Sequence, residues 1–432
     1  MSMWSDVFNF KKQTTPYTSQ ASSNSEQLST LGRRHRPDYW LIALCVILLL
    51  IGLVVIYSIS PAMSEIYHVG NNYYVFKQLI AIVLGLLAFV VAAKIPLNWW
   101  YKFVTPVLII ATLATLLAIV MPVNPSYPAH RWVRLGNFSF ESVELVKFAL
   151  LVWLAKMLTI RIQTGTIKNI RLTLRPLLIA LAIIGVVVAG IQSDLGSVGV
   201  IVVIVGAMLF VAGLPLKKLA IIVAVIIAGL ILLTAAIPYR RERLLTYLHP
   251  TANCQGSGYQ ACQAIIGVGS GGMVGLGLGS SVQAYGYLPE AVNDSIFAIY
   301  AEKFGFIGVT ILMAIFVALF SRLKNIAERA PDDFSRLLVV GVLSWLCVQT
   351  LINVGAMIGL LPLKGITLPF ISYGGTSIVF VLAALGLVFQ VSAYTTYTSI
   401  GQRNRGAGHD YSSDGRRVRG SYHPYIGSSS RA

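Results

Sequence analysis

The sequence predicts an all-α polytopic membrane protein, with about ten transmembrane helices and both termini on the cytoplasmic side. Composition is the first ground: 56% of the 432 residues are hydrophobic and only 11% are charged, a balance that soluble domains do not strike. Several apolar runs also reach the roughly 20 residues a helix needs to cross a bilayer, and no alternating pattern argues for a barrel. Lys and Arg, finally, gather on alternate connections, as the positive-inside rule requires.

Taken in order, residues 1–38 are rich in Ser, Gln and Thr and end in Arg33, Arg34 and Arg36. They read as a disordered cytoplasmic tail anchoring the first span. That span follows a long polar stretch and lacks a small-residue cleavage site, so it reads as a retained helix rather than a signal peptide. Apolar runs occupy 39–60, 75–93, 103–122, 143–160, 176–191, 194–213, 218–237, 295–321, 337–361 and 375–398. The fifth and sixth meet at Gln192-Ser193-Asp194-Leu195 and are either two short spans or a broken pair. Inner connections then carry Lys94, Lys102, Arg161, Lys168, Arg171, Arg175, Lys217, Lys218, Arg322, Lys324, Arg329 and Arg336, and a basic, disordered tail fills 399–432. The expected layout is one transmembrane domain, 39–398, with a large outer loop at 238–294. The net charge of +17 is therefore read as topology signal and contact with anionic lipid headgroups, not as a nucleic-acid interface.

Three polar or broken segments fall together on the outer side: 123–142, 238–294 and 362–374. Asp294 stands where the second becomes a membrane helix, a costly place for a carboxylate. Glu290 is four residues away, so the two are expected to share a helix face. General-base work on a hydroxyl suits them, and so does a plain helix N-cap at Asn293 or Asp294. Arg131 and Trp132 either clamp a phosphate and stack on a sugar or belong to the interfacial aromatic belt. Glu144 and Lys147, an i, i+3 pair inside an apolar run, call for an ion pair or a polar cavity. Asp194 reads as a charge at the edge of a span or a solvated turn. Arg240, Arg241 and Arg243 sit outside against the positive-inside trend, which favours a bound anion. Gln263, on the same loop, is counted with the substrate-facing groups.

The glycine run from Gly267 to Gly272 satisfies a dinucleotide fingerprint in form, but no strand precedes it; close-packed re-entrant backbone is the better reading. Two prolines and three glycines break residues 361–377, leaving Lys364, Ser372 and Tyr373 in irregular backbone that must line protein or water. Cys254 and Cys262 share one loop at a spacing that a disulfide could close or that two free thiols could occupy. No metal-ligand spacing is present and no cofactor is required by the pattern; a divalent cation is the one left open.

These motifs together resemble the SEDS family (shape, elongation, division and sporulation), over about 40–398. The resemblance is carried by Leu368-Pro369-Phe370-Ile371-Ser372-Tyr373-Gly374-Gly375 and by Tyr287-Leu288-Pro289-Glu290-Ala291 followed by Asp294. Arg131-Trp132, Glu144 with Lys147, and Asp194-Leu195-Gly196 add to it. It implies a peptidoglycan glycosyltransferase that polymerises lipid II on the outer face of the bacterial cytoplasmic membrane, with Asp294 as the catalytic residue. Arg131, Arg240, Arg243 or Lys364 would then meet the charge of the leaving pyrophosphate. Lys364-Gly365 between two prolines looks more like the FtsW branch than the RodA branch, implying a septal role, a class B penicillin-binding transpeptidase and other divisome proteins as partners. The chain departs from the family pattern at Val292-Asn293 (usually His-Thr), Ala284 (Lys), Ser193 (Pro) and Glu242 (Arg). A lipid II flippase and a non-catalytic scaffold of a synthase complex are the competing functions. The one-sided placement of polar groups argues against the first.

Overall fold

The structure is a computed structural model that describes residues 32–34, 36–121, 132–135, 138–192, 194–236, 254–256 and 258–396. Residues 1–31, Arg131, the segment 237–253 with Arg240, Arg241 and Arg243, and residues 397–432 lie outside the described residues.

Helices stand at all ten expected places. They are α1 (Tyr39–Ile66), α2 (Tyr73–Lys94), α3 (Leu97–Val120), α4 (Ser142–Gln163), α5 (Arg175–Gly185), α6 (Leu195–Val211) and α7 (Leu216–Ala236). After the short α8 (Tyr259–Ser270) come α9 (Ile296–Glu328), α10 (Asp333–Met357) and α11 (Gly375–Ser392). Among the described residues seven helices are long and apolar enough to cross a membrane. The apolar α6 is shorter, at 17 residues, and α4 carries Glu144, Lys147, Lys156 and Arg161 along its length. The fifth run is helical from Ile170 to Ile191, widening to π-turns at both ends. The chain then breaks, and α6 begins at Leu195.

The apolar pattern did not foresee one small hairpin and a second pair of short strands. Trp132–Leu135 (β1) pairs antiparallel with Phe138–Glu141 (β2), and Phe140 rests edge-on against Phe380 of α11. Gly32–Arg34 (β3) pairs with Tyr394–Thr396 (β4), so the expected disordered tail is ordered from 32 and the last span stops at Ser392. Asp38 joins this end of the bundle: its amide donates to Ser392 Oγ (3.0 Å), and its carboxylate lies 3.9 Å from Arg322.

At the opposite end α9 is interrupted in a way that shapes the site. Gly305 has φ 62° and ψ −166°, which no helix accommodates. The orphaned backbone groups are taken up by residues 271–277, which lie alongside the break. Phe306 and Ile307 donate to the carbonyls of Gly272 and Met273, while Leu276 and Gly277 donate to those of Glu302 and Lys303, at 2.9 to 3.0 Å. These four bonds satisfy backbone groups on both sides of the break. Gly275 has φ 85°, and a Cβ there would stand 2.1 Å from the Lys303 carbonyl oxygen. Gly275→Ala is therefore expected to cost about 2–4 kcal/mol, from left-handed backbone plus overpacking. Gly279→Ala, with nothing within 4 Å of its Cβ, should cost little. Melting temperatures of the two variants in detergent check this.

Candidate functional site

Two irregular segments make the site, residues 286–295 before α9 and 358–374 between α10 and α11. The first is not the helical turn that the Glu290–Asp294 spacing suggested. Glu290 has φ 53°, its carbonyl accepts the amides of Asn293 (3.0 Å) and Ser295 (3.2 Å), and its carboxylate accepts from Asn293 Nδ2. Glu290 thus braces its own turn. Ser295, not Asn293 or Asp294, occupies the cap position of α9. The Asp294 carboxylate is 8% exposed, with the Ser295 hydroxyl 3.5 Å away. Gln260 of α8 donates to that hydroxyl at 3.1 Å; Gln263, half-buried, lies three residues further along α8.

The two segments are laced together. Tyr373 donates its amide to the Val292 carbonyl (2.8 Å), and Asn353 of α10 donates Nδ2 to the carbonyls of Asp294 and Ile366, both at 2.7 Å. Ser372 Oγ accepts from the Leu368 amide (2.7 Å), fixing the tight turn that carries Phe370 at φ 67°. The Tyr373 ring packs edge-on against Tyr74 at 5.3 Å, and burial pushes its phenol well above the usual value. It stays a neutral hydrogen-bonding group at any physiological pH. Between the segments lies a small, partly open cavity of about 10 Å³, lined by Asp294, Lys364, Asn353, Gly365, Ile366 and the apolar face of α10. Asp294, Lys364 and Asn353 therefore border one small space together with apolar residues of α10.

Asp194 is 3% exposed and caps α6, accepting the Ser197 amide at 3.1 Å. Next to it, Gly196 lets the chain at Lys364 and Ile366 pass so close that a Cβ would meet the Lys364 carbonyl oxygen at 2.9 Å. Asp194 thus positions a wall of the cleft and is no solvated turn. Glu144 and Lys147 form a buried ion pair at 2.5 Å and are not among the residues lining the cleft. Trp132 opens the β1–β2 hairpin, 36% exposed, and the Glu141 amide at the other end donates to Thr376 Oγ1 of α11 (3.2 Å). Cys254 and Cys262 are joined in a disulfide that ties α8 to the chain before it.

Glu302 and Lys303 were not singled out from the sequence. Both are buried in α9. Glu302 accepts from the Ser281 hydroxyl and from the amides of Val282 (2.9 Å) and Gln283 (3.3 Å), and Lys303 donates to the Leu278 carbonyl. A charged pair one turn before Gly305 was the available signal, since a helix that enters a membrane rarely keeps charges without partners. Among the described residues no three His, Cys, Asp or Glu side chains gather as a metal site.

Comparison with known proteins agrees with this architecture. Residues 39–397 match the family of FtsW, RodA and SpoVE, described as cell cycle proteins. A Thioalkalivibrio protein named "Probable peptidoglycan glycosyltransferase FtsW" is 41% identical over 369 residues, covering 83% of this chain and 90% of its own. The stage V sporulation protein E of Bacillus subtilis is 34% identical over 368 residues, 84% of this chain and 99% of that one. A chain from a solved peptidoglycan synthase complex, described as coordinating polymerization and crosslinking, superposes with a TM-score of 0.68 at 27% identity. It covers 82% of this chain and 97% of that chain. A membrane-helix bundle with broken segments meeting at one end, matched along its whole length, places this chain in the FtsW–RodA–SpoVE family of cell cycle proteins.

Proposed function

We propose that this protein is a peptidoglycan glycosyltransferase that polymerises lipid II at the outer face of the cytoplasmic membrane. The observation that carries the reading is the buried Asp294, which borders one small cavity together with Lys364 where the two irregular segments meet. Names borne by relatives of high coverage point the same way. In the reaction, the acceptor sugar hydroxyl attacks the anomeric carbon of the donor. A new C–O bond forms as the bond to undecaprenyl pyrophosphate breaks, and the leaving group departs with the electron pair. Asp294 takes the hydroxyl proton, and Lys364, with Arg131, Arg240 and Arg243, meets the negative charge that develops. Burial of Asp294 strengthens its part in this relative to water.

A septal role, with a class B penicillin-binding transpeptidase and other divisome proteins as partners, is the further part of the proposal. It is supported by Lys364-Gly365, by relatives named FtsW and by the likeness to a synthase-complex chain. Purified protein given labelled lipid II in detergent, alone and with its transpeptidase, provides the test. Long glycan strands are expected. No strands in either condition would end the enzyme reading, and lipid II movement across liposomes would then separate a flippase from a scaffold.

A further inference from the structure

The polymerisation chemistry leaves the contact between α8 and the reactive carboxylate without a task. Ser295 is fully buried, and its Oγ stands 3.5 Å from Asp294 Oδ1. Gln260, in the first turn of α8, donates Nε2 to that Oγ at 3.1 Å. A hydroxyl carries a single hydrogen, and a serine that accepts from Gln260 keeps its own for the carboxylate. Hydrogen bonds of this kind are often long before substrate binds and tighten in the reacting complex. Gln260 is itself held in place. It lies inside the short loop that the Cys254–Cys262 disulfide closes, across a sequence separation of 8, and Cys262 and Ala264 bury their side of α8.

We propose that Gln260 is a positioning residue for the transfer reaction: acting through Ser295, it aims a hydroxyl hydrogen at the Asp294 carboxylate, and the Cys254–Cys262 disulfide keeps it there. The inference rests on the glycosyltransferase reading. The atom that faces Ser295 decides what the hydroxyl can do. With Nε2 donating, the serine hydrogen steadies one carboxylate oxygen and leaves the other for the acceptor's proton. An acceptor atom in the same place would draw that hydrogen away from Asp294. The disulfide therefore acts on the reaction at one remove, by fixing the loop from which Gln260 reaches.

The test measures polymerisation of labelled lipid II by the full chain as wild type, Gln260→Met, Gln260→Glu, Ser295→Ala and the double variant Gln260→Met/Ser295→Ala. Melting temperatures report whether each folds. Every single variant is expected to lose about tenfold in kcat with KM unchanged, and Gln260→Glu, which can only accept, to lose at least as much as Gln260→Met. The double variant should lose no more than Ser295→Ala alone, because Gln260 acts only through that hydroxyl. Losses that multiply in the double variant would overturn the inference, as would folded single variants that keep the wild-type kcat or change KM alone. A second arm needs no variant. The other two of the chain's four cysteines are free and Cys254 is half-buried, so a water-soluble phosphine cleaves this one bond, taking oxygen from water while the two sulfurs take its two hydrogens. Reduced wild type is expected to fall to the kcat of Gln260→Met, and reduction to leave Gln260→Met unchanged. A reduced wild type as active as before would overturn the role given to the disulfide. If untreated wild type makes no glycan, the glycosyltransferase reading itself has failed; if it polymerises and the variants match it, only the positioning role has.

Discussion

Asp294→Asn protein is expected to fold as wild type does and to make glycan at least about a thousandfold more slowly, within the range lost when a general base is removed. Asparagine has nearly the volume of aspartate. The Asn353 bond at this position goes to the main-chain carbonyl, and the α9 cap is Ser295. The substitution therefore leaves the lacing of the two segments untouched. What it removes is the only role an amide cannot take over, acceptance of the acceptor's proton. Gel analysis of labelled glycan gives the rate, and the melting temperature should stay within about 2 °C, as for a near-isosteric substitution that keeps an acceptor oxygen beside the Ser295 hydroxyl. Strands made by the variant at the wild-type rate would mean that Asp294 is not the general base. A variant that melts early would mean that the carboxylate holds the site together.

The apolar runs made the bundle legible because each span must be nearly continuous in hydrophobicity, whatever surrounds it. The converging outer segments were legible for a related reason: prolines and glycines at 361–377 cannot continue a helix. Details that depend on distant partners were not. Glu290 and Asp294 look like an i, i+4 pair until the left-handed backbone at Glu290 removes them from any helix. Glu302 is an ordinary charge near a helix start until residues 281–283 fold over it. The break at Gly305 can exist only because residues 271–277 supply its hydrogen bonds, and no local pattern states that pairing. Asn353 is one of several polar residues, with Ser344, Gln349 and Thr350, in a mostly apolar helix. Its meaning comes from two carbonyls, 59 and 13 residues away in the chain.

Glu144 and Lys147 present the second large effect, because the pair is buried on both sides, 4% and 2% exposed. Lys147 Nζ also lies 3.4 Å from Gln349 Oε1 and 5.3 Å from the centre of the Trp345 ring. Trp345 donates to that same oxygen (2.7 Å), and Gln349 Nε2 donates to the Thr367 carbonyl and hydroxyl at 3.0 and 3.2 Å. The ion pair thus props the segment that carries Lys364 and Ser372 from beneath. Glu144→Leu strands a buried ammonium and is expected to destabilise by about 3–5 kcal/mol. Adding Lys147→Met removes the stranded charge, and apolar replacement of a whole buried pair is often neutral or better. The double variant should therefore melt well above the single one, near wild type. Polymerisation by the double variant then separates two roles that stability alone cannot. If activity returns with the fold, the pair serves only as a prop beneath the cleft. If the fold returns without activity, the charges act on the substrate or on the field at Asp294. A double variant that melts as low as Glu144→Leu would refute the prop itself, since the cost would then lie in packing and not in the unpaired charge.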